Sequence, residues 1–483
     1  MMLTGTDRTP YAVGICAVMA LAAMILISPD SYLHDLFGRG DSSWFYLCGK
    51  AWMCGMDPYV DFSDSKGPLL WLIYGIGYLL APESYTGVMW LSVLCYTATL
   101  YITYRTLRLW LQTHSAWIGT ALMFCAYLNP LLHYEVRAED FCLPWLLLAM
   151  YVLARSVWGD TPTPRQWNRY ALAAGMAMGA TLMIKFSITA SVVILALSLL
   201  IASRRRALLL TAMMLLGTAM AVLPFVLYFA LHGHLSQFIY EYFVLTFITT
   251  SHWTDGQLFI FGFISLYMWR TALAVLVVTV AGTLLARGML TRWRWWPTLA
   301  FMAVFFITVQ NCTCEYYLST DAPFLIFGVA ALLLRIPRRW IPTTQWGTST
   351  IVALTLALLV YVNYEKYDKI GNWRWQQSEA AAEYHDLADN VQGKSPTMVW
   401  LGFFDAQDVP GGALPGCKYF ARQDGETQQM LDNAKKAISD RQTQYVVVNG
   451  DDTDNCRWVE NCGYRLLNAE RGRRWLYERM TEQ

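Results

Sequence analysis

The sequence predicts an α-helical polytopic membrane protein, with about eleven transmembrane helices plus interfacial helices, followed by a small extracytoplasmic α/β domain. Three observations carry this. The chain has 483 residues, is 56% hydrophobic and only 15% charged, whereas soluble domains carry about 25% charged residues. The deficit is uneven: residues 10–363 break into repeated apolar stretches, and 364–483 read as ordinary soluble protein. The connecting loops also alternate between basic and acidic-polar character. The expected domains are therefore 1–363, in the membrane, and 364–483, outside it. A net charge of +1 leaves no electrostatic footprint for nucleic acid.

The apolar stretches fall at 10–29, 86–107, 114–132, 141–157, 169–185, 186–203, 207–231, 271–287, 296–312, 321–335 and 347–363. A helix crossing the hydrocarbon core needs about 20 apolar residues. The first follows Arg8 and looks like a signal peptide, but no small-x-small site precedes Asp30, so it reads as an uncleaved anchor. Arg105 and Arg108, then Arg155, Arg165 and Arg169, then Arg204–Arg206, Arg287, Arg292 and Arg294, and Arg335, Arg338 and Arg339 fall in every second loop. The positive-inside rule puts them in the cytoplasm. With the N-terminus inside, eleven spans satisfy all of these assignments. Loop 30–85, loop 133–140, the corner at Lys185, loop 232–270, the stretch around Glu315 and the tail then face outward. This describes a multi-pass membrane protein with its polar face outside.

Segment 67–81, GPLLWLIYGIGYLLA, is apolar but short, reaching roughly 22 Å. If it crossed, every later basic loop would flip, so it reads as an interfacial helix on the outer face. A kinked short span is the alternative. Segment 259–269 reads the same way. In the tail, 397–403 and 443–450 look like buried strands. Met430, Leu431, Ala434 and Ile438 share one helical face, and the terminal RRWLYERM is a candidate strand. Eleven cysteines include Cys456 and Cys462, either bridged in an oxidising compartment or free.

The chemistry lies in polar islands on the outer face. Loop 30–66 carries Asp41, Asp57, Asp61, Asp64 and Lys66. Loop 133–140 carries His133, Glu135, Arg137, Glu139 and Asp140. Lys185 interrupts two apolar helices, and Glu315, Tyr316 and Tyr317 sit at a helix end. Carboxylates and lysines beside membrane spans are costly and mark function by default. A carboxylate takes a proton from an attacking hydroxyl or amine, and an ammonium stabilises a phosphate leaving group.

The order of these landmarks resembles the polytopic glycosyltransferases that use polyprenyl-phosphate sugars, the GT-C superfamily that includes protein O-mannosyltransferases and lipid A aminoarabinose transferases. GRGDSSWF places Asp41 where those families open the first outer loop with an acid. DSKGPLL places Lys66 where they put a basic residue before Pro-Leu. RAEDFCLPW supplies Glu139 and the neighbouring Asp140, LMIKFSITA supplies Lys185, and CEYYLSTDAPF supplies the Tyr-bearing motif. Ser42 stands where the family has Glu, and Gly-Pro-Leu replaces Pro-Pro-Leu. The resemblance implies an inverting transfer of a monosaccharide from a polyprenyl-phosphate donor to a glycan, lipid or protein acceptor. Asp41, Glu139 and Asp140 would be catalytic. Lys66, Lys185 and Arg137 would bind phosphate, and Glu315, Tyr316 and Tyr317 would bind substrate. No metal ligand set is assigned, and the use of a divalent metal stays open.

Each residue also has an ordinary reading. Asp41, Glu139 and Asp140 suit helix N-termini. Lys66 and Lys185 suit snorkelling to headgroups. Asp57, Asp61 and Asp64 suit solvated turns. A transporter or lipid-linked-sugar flippase is the alternative function. It predicts an inverted repeat and broken helices at mid-membrane, whereas charges here avoid the centres of the spans.

Overall fold

The computed structural model describes residues 9–28, 30–31, 41–82, 84–128, 136–248, 280, 295–310, 315–369, 391, 396–402, 413–421, 427–468 and 474–480. Expected elements 259–269 and 271–287 lie outside these residues, apart from residue 280. So do His133 and Glu135. The chain divides into two compact units. One comprises Met1–Ser28, Leu91–Pro224 and Gln257–Lys366, and the other Pro29–Trp90, Phe225–Gly256 and Tyr367–Gln483.

The helices of the apolar region are α1 Thr9–Ile27, α2 Asp41–Met53, α3 Pro68–Leu80, α4 Thr86–Leu107, α5 Thr113–Tyr127, α6 Ala138–Trp158, α7 Pro164–Ile184, α8 Phe186–Ala202 and α9 Ala207–Leu231. They continue with a short α10, Leu235–Phe238, then α11 Trp296–Gln310, α12 Leu325–Arg335 and α13 Gln345–Lys369. Six segments among the described residues are long and apolar enough to cross a membrane: Pro10–Ile27, Thr86–Leu107, Ala138–Trp158, Ala207–Leu231, Tyr317–Arg335 and Gln345–Asn363. Others expected to cross are shorter as helices (α5, α8, α11) or carry arginines in the first turns (α7). Leu208, Leu215, Leu216 and Leu223 of α9, and Trp346, Leu354 and Leu358 of α13, are exposed. Such apolar faces belong against lipid.

In the first unit α6 packs against α7 and α8, α11 against α8, and α12 against α5. Small residues let α7 and α9 approach closely, as membrane helices require. A Cβ at Gly175 would stand 2.0 Å from the Met214 carbonyl, and one at Gly217 would stand 2.2 Å from that of Leu172. The Thr218 hydroxyl also donates to the Gly175 carbonyl (3.0 Å).

In the second unit α2 and α3 form a tight pair. Gly49 and Gly75 make it: a Cβ at Gly49 would lie 2.4 Å from the Gly75 nitrogen. At 13 residues, α3 is about 20 Å long, short of the hydrocarbon core. Leu79 and Leu80 at its end are exposed.

After α10 the chain winds as a π-helix over Ile239–Leu245. The tail forms β1 Thr397–Leu401, β2 Leu414–Pro415, α14 Gln428–Ser439, β3 Tyr445–Asn449, α15 Thr453–Asn461, β4 Tyr464–Asn468 and β5 Arg474–Arg479. The sheet order is β2-β1-β3-β5-β4. The first three strands are parallel, with Val399 opposite Val446, and β5 runs antiparallel, with Leu476 opposite Val447. The expected strands and helix are present at β1, β3, β5 and α14. Val399, Leu401, Ala434, Ile438, Val446, Val448, Val459 and Tyr477 fill the core. β2, β4 and α15 were not foreseen. In α15 only Cys456 and Val459 are buried, too few to leave a helical period. Cys456 and Cys462 are both free thiols.

Candidate active site

The first unit assembles a buried ion pair. Lys185 occupies a one-residue break, extended at φ −153° and ψ 103°, that ends α7 and begins α8. Its ammonium lies 2.5 Å from Glu139 Oε1, with both side chains buried. The same ammonium sits 4.2 Å from the centre of the Tyr317 ring, within cation–π range. Glu139, Lys185 and Tyr317, drawn from three distant stretches of sequence, therefore share one polar cluster. Exposed snorkelling does not describe Lys185, which is 8% exposed.

Asp140 does something different. It accepts from the backbone N–H of Arg137 (2.8 Å) and from the Tyr96 hydroxyl, so it caps the start of α6 as its ordinary reading anticipated. Arg137 is buried beside it. The backbone of Glu315–Thr320 forms a 3-10 turn; the side chains of Glu315 and Tyr316 lie outside the described residues.

The second unit holds Asp41 and Lys66. Asp41 is half-buried in the first turn of α2, where the helix dipole favours a carboxylate. The Lys66 ammonium lies 5.5 Å from the Phe45 ring centre. Phe45 follows Asp41 by four residues, so the two share one face of α2, about 6 Å apart along the axis. Lys66 is held at both ends. Its carbonyl accepts from the Tyr59 hydroxyl (2.9 Å), and its ammonium donates to Ser65 Oγ (3.0 Å). Tyr59 adopts φ 66°, a conformation costly for a bulky side chain. It is fully buried, with its ring packed on Trp71, Phe229 and Phe238.

Asp64 corrects the solvated-turn expectation. It is 9% exposed, and its Oδ1 accepts from the backbone N–H of Ser65 (2.6 Å) and from Ser65 Oγ (3.2 Å). Asp61 is exposed and caps Asp57 N–H (2.7 Å), as expected of a turn.

Sequence reasoning missed a second buried carboxylate here. Glu241, on the π-helix, is 4% exposed. It accepts from Ser63 Oγ (2.8 Å) and from the Tyr419 hydroxyl (2.9 and 3.0 Å), and pairs with the Lys418 ammonium (2.6 Å). Burial, and then the Glu241 carboxylate, push the Tyr419 phenol well above its ordinary range. The one signal in the sequence is a lone acid among aromatics, in FIYEYF. Among the described residues no group of three or more His, Cys, Asp or Glu is arranged to hold a metal ion.

Over residues 65–229 the chain matches the family described as dolichyl-phosphate-mannose-protein mannosyltransferase. No curated protein matches it in sequence. Among solved structures, ArnT from Cupriavidus metallidurans bound to undecaprenyl phosphate is similar over 98% of both chains, with a TM-score of 0.67 and 12% identity. Its apo state is similar over the same shares, with a TM-score of 0.64 and 12% identity. The chain thus shares the fold of ArnT and carries helices long and apolar enough to cross a membrane. The family match over 65–229 falls on the stretch that carries Lys66, Glu139 and Lys185, three of the landmarks on which the GT-C resemblance rests.

Proposed function

We propose that the chain is a membrane glycosyltransferase that moves a monosaccharide from a polyprenyl-phosphate donor to an acceptor on the outer face of the membrane, with inversion. The observation that carries the reading is the Lys66 ammonium, pinned through Tyr59 and Ser65 on the face of α2 that begins with Asp41. The match over 65–229 and the fold shared with a protein that binds undecaprenyl phosphate support the donor class. They also favour a transferase over a transporter.

In this reading the acceptor oxygen or nitrogen attacks the anomeric carbon from the side opposite the phosphate. The bond from that carbon to the phosphate oxygen breaks, and the electron pair leaves with the polyprenyl phosphate. Asp41 accepts the proton of the attacking group, and Lys66 offsets the negative charge that grows on the leaving phosphate. Lys185 and Arg137 are assigned to phosphate as well. Glu139, or its neighbour Asp140, is assigned to the acceptor proton or the sugar, and Glu315, Tyr316 and Tyr317 to substrate contact. Eleven spans, a domain boundary at 363/364 and an extracytoplasmic tail complete the proposal, and the acceptor is a glycan, a lipid or a protein.

The test supplies membranes containing the protein with labelled prenyl-phosphate sugars and follows the label. Transfer of one sugar, lost in Asp41→Asn protein that folds normally, is the expected result. Transfer at the wild-type rate in Asp41→Asn would overturn the catalytic assignment.

A further inference from the structure

Resting on the reading of Lys66 as the phosphate-binding group, we propose that Glu241 is a positioning residue that joins the tail to the Lys66 segment and so sets where that ammonium stands. Four groups meet at its carboxylate or beside it. Ser63, three residues before Lys66, donates its hydroxyl to Glu241 (2.8 Å). The Ser63 backbone N–H donates to the carbonyl of Lys418 (2.9 Å). Lys418 and Tyr419 close on the same carboxylate from the tail (2.6 Å and 2.9 Å). The next tail residue, Phe420, stacks on Trp44 of α2 with ring centres 4.7 Å apart. A tail tripeptide, Lys418-Tyr419-Phe420, thereby grips both the loop that bears Lys66 and the helix that begins with Asp41.

Energetics favour a fixed joint over an incidental contact. A buried carboxylate without its partners is expensive, and Glu241 answers it with one ammonium and two hydroxyls. Charge-assisted bonds of this kind are the strong ones. The π-helix supplies the geometry. Such turns are rare and often occur at functional sites, and this one turns Glu241 into the protein while Tyr240 stays exposed. From Ser63 onward each residue is tied in sequence: Ser63 to Glu241, Ser65 to Asp64, and Lys66 to Ser65 and Tyr59. A shift at Glu241 is passed along three residues to the ammonium.

The experiment measures equilibrium binding of a C55 polyprenyl phosphate to the full-length protein in lipid nanodiscs. The variants are Lys66→Met, Glu241→Gln, Ser63→Ala, Tyr419→Phe and the double Glu241→Gln/Lys66→Met, each with a melting temperature. Lys66→Met should weaken binding by at least tenfold. Glu241→Gln should weaken it about three- to tenfold, with Ser63→Ala weaker in the same direction. The double variant should bind no worse than Lys66→Met, because Glu241 acts through Lys66. Wild-type binding by both Glu241→Gln and Ser63→Ala, or additive losses in the double variant, would overturn the positioning role while leaving the donor reading intact. Wild-type binding by Lys66→Met would instead sink the donor reading, and the inference with it. If Glu241→Gln fails to fold, Ser63→Ala and Tyr419→Phe each remove one hydroxyl and decide the question alone: unchanged binding in both overturns it.

Discussion

Replacing Lys185 by Met strands a carboxylate. Glu139 and Lys185 stand 2.5 Å apart and are both buried, so their mutual attraction is ~7 kcal/mol at an effective dielectric near 20. Desolvating the two ions consumes much of this, and the net worth of the pair is far smaller. Removing one partner is another matter, because the survivor keeps its desolvation cost without the attraction. Lys185→Met should therefore cost about 3–5 kcal/mol. Glu139→Gln should cost less, since the amide oxygen still accepts from the ammonium and the Tyr317 ring still faces it. The double variant should be more stable than Lys185→Met alone, with a coupling of about 0.5–3 kcal/mol. The assay is denaturation of detergent-solubilised protein followed by fluorescence, with label transfer measured in parallel. Under the proposed roles, transfer falls about 10²- to 10³-fold in both single variants and stays low in the double variant even as stability recovers. A double variant whose loss equals the sum of the single losses would refute the buried-pair reasoning. Wild-type transfer by the double variant would remove both residues from the site.

Three further outcomes are expected. Gly49→Val drives a side chain into the backbone of α3, where even a Cβ would meet the Gly75 nitrogen at 2.4 Å and the Trp71 carbonyl at 2.8 Å; a loss of about 1–3 kcal/mol should appear as a lower melting temperature, and an unchanged one would refute the close crossing. Tyr59→Phe deletes the donor to the Lys66 carbonyl; it should lower stability by about 0.5–1.5 kcal/mol and raise KM for the donor more than it lowers kcat, as seen in steady-state transfer kinetics. Alkaline pH should destabilise the tail: burial raises the Tyr464 phenol to about 12, above the ordinary tyrosine value near 10, so the folded chain holds this proton more tightly than the unfolded one. That contribution is complete below pH of about 10 and is lost as pH rises toward the folded value. Tyr464→Phe should flatten the slope of stability against pH in this window.

The apolar run lengths were enough to read a helical region with segments long enough to cross a bilayer followed by an α/β tail, because a bilayer imposes its thickness on every segment that crosses it. The same arithmetic flagged 67–81 as too short, and α3 is a 13-residue helix. In the tail, the runs MVWL of β1 and YVVV of β3 do not alternate with polar residues because these stretches are buried and the two strands pair in parallel. Resemblance to a known order of landmarks singled out Asp41, Lys66, Glu139 and Lys185 without saying what each one touches.

Tertiary structure alone decided those partnerships. Nothing in the local sequence ties Lys185 to Glu139, which is 46 residues away, or sets Tyr317 beside them. Asp140 and Glu139 are neighbours in sequence, yet one caps α6 and the other pairs with Lys185, because successive residues of a helix point about 100° apart. Asp64 reads as a turn residue in SDSKGP, and burial overrules that reading. Glu241 left the faintest trace, since an isolated acid among aromatics has no period. Its partners Ser63 and Tyr419 lie 178 residues away on either side. Hydrophobic length is a property of one segment and survives in a linear reading. A buried charge is defined by what the rest of the chain brings to it, and only the folded molecule contains that information.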